Sequence, residues 1–402
     1  MMRYLLLLVT LCFTLWIVAV NVGVHRAPRV GSVHERDEVL AQLRYLGPRM
    51  HADLGADMQR LFPEGEVFAD VLYGLAWCGL AERAGAGDTV RAHALREARW
   101  ALARMERPHV QAPFASAVGL PLGAFYHGWR AHLIGAIARL DPIDTALHRR
   151  WNAECDGLAH AYATAASPYL PSYPGMAWPA DNVVAMAAVA LNDRARGGAH
   201  RGAISGWLDL VRARLDAGGR VPHAWDPLRD RVHQGVRGSS SVLMGAFWPL
   251  IDSAFAADQF DRFRAAFLTE RFGVPVVREH PSGEAGAGDV DSGPVILGAG
   301  SSATVVGTAA CRANNDVFHA QELDATCEGF GLAMGGARKR YLLGALPMAD
   351  LFLAWGRALR VPAEATNSPR FLRWHAWSAF ALALVWAPWW WRWFRRAKRA
   401  HR

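Results

Sequence analysis

Two kinds of helical pattern alternate along the chain. Residues Thr89–Met105 and Thr145–Thr164, with 205–216 and 258–271, carry charges on one face and Leu, Trp or Phe on the other, the pattern of half-exposed helices. Residues 183–191, 294–310 and 341–355 are instead apolar or small around nearly the whole circumference, which marks helices packed on every side. A start rich in small residues recurs at Pro63, Pro121, Trp178, Gly238, Asp291 and Gly336, at spacings of 58, 57, 60, 53 and 45 residues. Each interval holds two helices of ordinary length and two loops. The repeating unit is therefore expected to be a helical hairpin, with an irregular sixth copy, because 314–328 offers only a short outer helix.

Six such hairpins bury their apolar faces if the inner helices form a ring and the amphipathic ones cover it. On that pattern the stretch from about residue 35 to 360 resembles the α/α toroid, or six-hairpin, superfamily. That superfamily includes glycoside hydrolases, polysaccharide lyases, terpenoid cyclases and linalool dehydratase/isomerase. The expected fold class is all-α, an (α/α)6 toroid flanked by N- and C-terminal transmembrane helices. Its expected divisions are an anchor over 1–26, a toroid body over 27–370, and a second span with its tail over 371–402.

The terminal segments supply the membrane reading. Residues 4–20 (YLLLLVTLCFTLWIVAV) are uncharged, and a helix of that length crosses a bilayer with little extension. No A-x-A cleavage site follows in NVGVHRAPRV, so an uncleaved anchor is favoured over a signal peptide. Residues 374–391 end in WAPWWW, with indole rings suited to the headgroup layer, and Pro388 is expected to kink or end that helix. Arg392, Arg395, Arg396, Lys398, Arg399 and Arg402 follow without an acid, which places the C-terminus in the cytoplasm. Two crossings then put the body on the far side, the periplasm if the membrane is a bacterial inner membrane. Arg26 and Arg29 against Arg3 alone argue the other way at the first span.

The net charge of +8 falls to +2 once the six tail cations are set aside, so no basic surplus remains for a polyanion, and nucleic acid is excluded as a partner. With 52% apolar residues the body can bury one large core. Beyond Cys12 in the first span, Cys78, Cys155, Cys311 and Cys327 show no zinc spacing, and no metal or cofactor is expected. Cys311 and Cys327, 16 apart, are either one disulfide or two thiols.

Candidate chemistry gathers in loops ahead of the inner helices. In SPYLPSYPGMAWPADNVV, Tyr173 and Trp178 lead to Asp181 and Asn182, an aromatic loop delivering a carboxylate to the ring mouth. The structural alternative is that both polar residues only satisfy first-turn N–H groups after Pro179. The glycine-rich loop EHPSGEAGAGDVDSG carries Glu284, Asp289 and Asp291, of which one acid is explained as an N-cap. Asp70 and Tyr73 share a helix face, with an ion pair as the alternative for Asp70. His127, His223 and His233 are candidate bases, and Ser239, Ser240 and Ser241 read as a helix cap rather than a nucleophile.

The resemblance implies a small-molecule or oligosaccharide substrate. A carboxylate pair drawn from Asp181, Asp291 and Asp70 would serve glycoside hydrolysis. Tyr126, Tyr173, His127 and His223 would serve a lyase base, and Tyr73, Trp178 and Asn182 would line the site. Likeness to linalool dehydratase/isomerase would draw instead on Cys78, Cys327 and Glu328, whereas DVDSG departs from the aspartate-rich motif of terpene cyclases. A non-catalytic envelope binding protein is the third expectation.

Overall fold

The computed structural model describes residues 2–400 apart from 85–88, 116, 118, 291, 367 and 368, with side chains to residue 393. The protein is mostly helical. In chain order the helices are α1 (Met2–Gly23), α2 (Val33–His51), α3 (Leu54–Gln59), α4 (Gly65–Glu82), α5 (Thr89–Met105), α6 (Pro108–Gln111), α7 (Gly123–Leu140) and α8 (Thr145–Thr164). They continue as α9 (Pro179–Ala195), α10 (Arg201–Arg212), α11 (Gly238–Phe247), α12 (Ser253–Phe267), α13 (Ser301–Ala313), α14 (Val317–Phe330), α15 (Pro347–Ala358) and α16 (Leu372–Ala400). Three antiparallel ribbons interrupt them: β1 (Ala224–Asp226) with β2 (Arg231–Gln234), β3 (Leu268–Arg271) with β4 (Val274–Val277), and β5 (Val295–Ile296) with β6 (Ala299–Gly300).

Contacts among the helices follow a cycle. α4 packs on α7, α7 on α9, α9 on α11, α11 on α13, α13 on α15, and α15 returns to α4. Around them α5 lies against α4 and α7, α8 against α7 and α9, α10 against α9, α12 against α11 and α14 against α13. The remaining outer place, against α15 and α4, belongs to α2. The irregular sixth hairpin is thus completed from the beginning of the chain. At the centre Phe68, Trp129, Phe247, Trp355 and Phe352 meet in a closed circuit of rings, with centroids 5.4–6.2 Å apart. These distances suit edge and offset aromatic contacts.

Side-chain caps occur on outer helices, although α10 lacks one. The outer helices α8, α12 and α14 begin with Asp144, Asp252 and Asp316, whose side chains accept from the N–H groups of Leu147, Phe255 and His319. None of the inner helices has a side-chain cap from its own N-cap residue. Neighbouring units supply the acceptors instead. The Ala124 amide donates to the Pro171 carbonyl, and the Gly238 amide to Glu279. A Cβ on Gly123, where φ is +73°, would lie 2.0 Å from the Ser172 oxygen, and one on Gly238 would lie 1.9 Å from the Arg278 oxygen. Glycine is required where one loop crosses the next helix.

Several boundaries differ from the sequence reading: α10 and α12 span 201–212 and 253–267 rather than 205–216 and 258–271, and 268–271 is strand β3. The apolar run at 294–310 begins as the β5–β6 ribbon, because Leu297 and Gly298 both take positive φ and make a tight turn, so the helix starts at Ser301. The run at 341–355 opens with a short 3-10 turn and becomes α-helical at Pro347. α16 continues through Pro388 rather than ending there. The cysteines are all free thiols: Cys311 lies in the last turns of α13 and Cys327 in the last turns of antiparallel α14, at opposite ends of the pair.

Among the described residues, only α1 is both long and apolar enough to cross a membrane. The tryptophans and His375 dilute the apolar run of α16. α1 is not a free tether, however. Its Ile17 and Val20, followed by Val24, are buried with Val274, Val276, Ala325, Phe371 and Trp374. It crosses α14 so closely that a Cβ on Gly23 would lie 2.7 Å from the Gly329 Cα.

A buried ionic network joins the two ends of the body. Arg312 bonds Glu35 at 2.6 Å and also pairs with Asp324, and Arg357 bonds Asp324 at 3.1 Å and Glu328 at 2.7 Å. Lys339 and the Tyr341 hydroxyl each donate to Glu328 at 2.6 Å. Asp324→Ala should therefore lower the unfolding free energy by about 3–5 kcal/mol, because it removes the one carboxylate shared by two buried guanidinium groups and leaves each with a single acidic partner. Arg60→Ala, which breaks only the exposed pair with Asp57, should cost about 0–1 kcal/mol. Chemical denaturation in one detergent compares them, and equal effects would refute a structural role for the network.

Candidate functional site

The loops entering α7, α9, α11 and α13 form one continuous rim at the N-terminal ends of the inner helices. Ala124 bonds Pro171, Ala177 and Trp225 exchange backbone bonds, Gly238 bonds Glu279, and the Glu279 amide bonds Gly298. Phe125 lies buried under this rim, and the half-buried Phe68 and Phe352 continue the apolar floor.

On the rim Tyr173 and Trp178 stack with centroids 4.7 Å apart and an interplanar angle of 29°, both partly exposed. Trp178 is the N-cap residue of α9, and Asp181 sits in the first turn behind it, 7% exposed. Asn182 is fully engaged inside the protein. Its carbonyl oxygen accepts from the Tyr162 hydroxyl and the Leu170 amide, both at 2.8 Å, and its amide donates to the Leu170 and Trp178 carbonyls. With all of these occupied, its role visible here is to lock the aromatic loop onto α8 and α9.

The neighbouring loop places His223 against the Ser240 hydroxyl in the first turn of α11. Burial, reinforced by Arg237, pushes the His223 imidazole down to about 4, so the ring is neutral at pH 7. Arg237 bonds Glu279 at 2.8 Å and also Asp289. Glu279 accepts from the Ser239 hydroxyl at 2.8 Å and from its amide at 3.3 Å, so this acid from the next loop caps α11. Burial raises the Glu279 carboxyl above its ordinary range despite these donors. Burial also opposes ionisation of the partly exposed Asp289, but the Ser292 amide and Arg237 together hold its carboxyl below the usual value. Asp291 lies outside the described residues.

The remaining candidates face the outer helices. Asp70, with Glu66 and Asp53, surrounds Arg104 of α5, at 3.2, 2.7 and 2.8 Å. Tyr73 donates to Glu97 at 2.7 Å. Tyr126 donates to the Met105 carbonyl and accepts from Gln111. His127 lies within α7, between Glu154 of α8 and the Pro121 carbonyl. Of the nine predicted site residues that are described, Tyr173, Trp178, Asp181, Asn182 and His223 come from the stitched loops and the first turn behind them. Arg237, Ser240 and Glu279 join them without having been singled out as site residues. A single Arg before GSSS and a single Glu in VVREHP carry no local signal, because their pairing spans 42 residues.

Other features are less suited to chemistry. A narrow cleft between α11 and α12 is lined by Arg220, Ser241, Met244, Trp248, Phe260 and Phe263 among others, with no carboxylate. Among the described residues no group of three or more His, Cys, Asp or Glu is arranged to hold a metal ion. No protein-family model matches the sequence, and no curated protein matches it either.

Asp70 gives a testable signature. Burial pushes its carboxyl up to about 8 against the pull of Arg104, and its Oδ2 has no hydrogen-bond partner. The unfolded chain releases this proton near the ordinary 3.8, whereas the folded protein keeps it to about pH 8. Stability from this group is therefore full below pH 4 and is lost as pH rises toward 8. The slope can approach about 1.4 kcal/mol per pH unit. Asp70→Asn should flatten that part of the profile, and an unchanged slope in denaturation curves across this range would refute the assignment. Asp350, raised by burial to about 7, contributes with the same sign and serves as the second variant.

Proposed function

We propose that the chain is a membrane-anchored (α/α)6 toroid that binds a saccharide at the N-terminal mouth of its ring and acts on it by carboxylate acid–base chemistry. The cyclic packing of six inner helices supports the toroid. α16 serves as the second crossing helix. It runs antiparallel to α1 with Asn21 on Ser378, Trp386 on Thr14 and Trp389 on Thr10, and it presents Phe380, Leu384, Trp390, Trp391 and Trp393 outward. With the basic tail in the cytoplasm, the body lies on the opposite, periplasmic side.

The observation that carries the saccharide reading is the Tyr173–Trp178 shelf beside Asp181. Partly exposed stacked rings offer an apolar face to a pyranose, and the acid that follows them in the first turn of α9 would serve at the bond to be cleaved. Asp181 is the general acid in this reading. Asp289, kept ionised by Ser292 and Arg237, is the base or nucleophile. Neutral His223, held by Ser240, is a hydrogen-bonding partner for the substrate rather than a cation. An acyclic or cyclic terpene alcohol is the second reading, favoured by the apolar floor of Phe68, Phe125 and Phe352.

Ligand-detected NMR on the detergent-solubilised protein, with separate pools of oligosaccharides and isoprenoid alcohols, tests this. Trp178→Ala should weaken saccharide binding by about 1–2 kcal/mol, the worth of one lost stacking face. Asp181→Asn and Asp289→Asn should each retain binding and fold but lower turnover by about 100-fold or more, the usual scale for an acid or base. Binding of isoprenoids alone would shift the assignment to the terpene reading. Saccharide binding without turnover would leave a binding protein.

A further inference from the structure

α1 and the ring mouth lie at the same end of the body. α14 returns antiparallel to α13, so its C-terminal turn stands beside the first turn of α13. Thr304 and Thr326 both bond β4, through Val277 and Pro275, while Arg312, eight residues beyond Thr304, pairs with Asp324, two residues before Thr326. α1 in turn runs antiparallel to α14. Trp16 touches Phe330 at 6.2 Å, Gly23 meets Gly329, and the chain beyond it bonds Gln321 through Pro28 and Val30. Its N-terminal half therefore projects past α14 on the mouth side.

Length then fixes depth. Crossing a hydrocarbon core of about 30 Å takes roughly 20 helical residues at 1.5 Å each. α1 has 22, and Ile17, Val20 and Gly23 among them are already buried against the body. The helix cannot span unless the part of the body that it touches reaches the bilayer surface. At that level two hairpin tips carry exposed apolar side chains. Phe272, 48% exposed, is in the β3–β4 turn, and Ile296 and Leu297, 66% and 64% exposed, are at the β5–β6 turn. Phe272 and Leu297 both hold positive φ, a strained position for a bulky residue, where Asn or Gly would suit a solvated turn better. The tips are joined to each other by Arg271, which donates to the Leu297 carbonyl at 2.8 Å, and to α16 by Phe272 against Trp377 at 5.5 Å. Arg271 and Arg373 stand in the same patch, Arg373 paired with the exposed Glu270 at 3.3 Å, so Arg271 is the cation left to meet lipid phosphates.

We propose that these tips seat the mouth side of the ring on the bilayer, so that the mouth takes its saccharide on an apolar tail carried in the lipid. The occupant of the exposed patch is lipid, and the patch is continuous with the anchor. This rests on the membrane-anchored, saccharide-binding reading above.

The test uses the full chain with Cys12→Ser, in vesicles of phosphatidylcholine with a minority of phosphatidylglycerol. Single cysteines at Phe272→Cys, Leu297→Cys and, at the far end of the body, Ile143→Cys carry an environment-sensitive fluorophore. Nitroxide lipids should quench the first two at least about three-fold more than aqueous iodide does, and the third should behave oppositely. Iodide access at 272 and 297 equal to that at 143 would overturn the seat, and so would energy transfer between copies at these positions. A chain that fails to enter vesicles would instead defeat the anchor itself. For the substrate, an alkyl-tailed oligosaccharide should bind at least about ten-fold more tightly than the free one. That advantage should shrink in Phe272→Ser/Leu297→Ser and vanish in Trp178→Ala. An advantage indifferent to all three substitutions would be simple partitioning and would overturn the tailed-substrate assignment. Lipid quenching at the tips with no saccharide bound would sink the saccharide reading while leaving the seat intact.

Discussion

The contact on which the rest of the structure depends is the buried pairing of Arg312 with Glu35 and Asp324. Glu35 belongs to α2 and Arg312 to α13, 277 residues later, and both are fully buried. Arg357 extends the pairing to α15, and Arg83 from the end of α4 reaches Glu35 at 3.2 Å. Four cations, Arg83, Arg312, Arg357 and Lys339, thus face Glu35, Glu38, Asp324 and Glu328. Removing such charges from water costs several kcal/mol each, so the network adds less stability than specificity. Only the arrangement with α2 in the last outer place neutralises all of them. An apolar seam would have closed the cycle with weaker preference for one register.

This explains why the layer pattern was legible in the sequence and its closure was not. α5 and α8 coincide with the amphipathic segments read from periodicity, and α9 encloses the apolar run at 183–191, because burial on one side or all sides is written in composition. α2 reads as VHERDEVLAQLRYLGPRMH, a polar segment whose Glu35 and Gln42 look solvated. They are buried because their partners, Arg312 and Asp350, arrive from the other end of the chain. Long-range compensation of buried charge leaves no local trace. The same limit hid Glu279, whose carboxylate caps a helix 40 residues before it.

The site divides along similar lines. The loop from Tyr169 to Asp181 stood out in the sequence by three aromatic rings, Tyr169, Tyr173 and Trp178, ahead of one acid, more than a helix start needs. Asp70, Tyr73, Tyr126 and His127 looked similar in residue type. Their partners lie on the outer helices, or on the segments that follow them, and only packing reveals that direction. Asp181 and Arg104's partner Asp70 both occupy the opening turns of inner helices, where residue type alone does not separate an ion-pair partner from a candidate acid.

Membrane, closure and mouth converge on α14. Its Asp324 and Glu328 hold Arg312, Arg357 and Lys339, while its last turn, through Gly329, receives α1. A Cβ on Gly329 would press on Val24 at 2.5 Å and on the Val20 carbonyl at 3.1 Å, so no larger residue fits the crossing. The glycines at 23 and 329 bring two backbones together where α1 passes from an exposed to a buried stretch. A helix joined this way has little freedom to tilt relative to the body. In the proposed seat that rigidity is what holds the hairpin tips at one depth, since a flexible linker after residue 23 would let the same apolar tips float free of the bilayer.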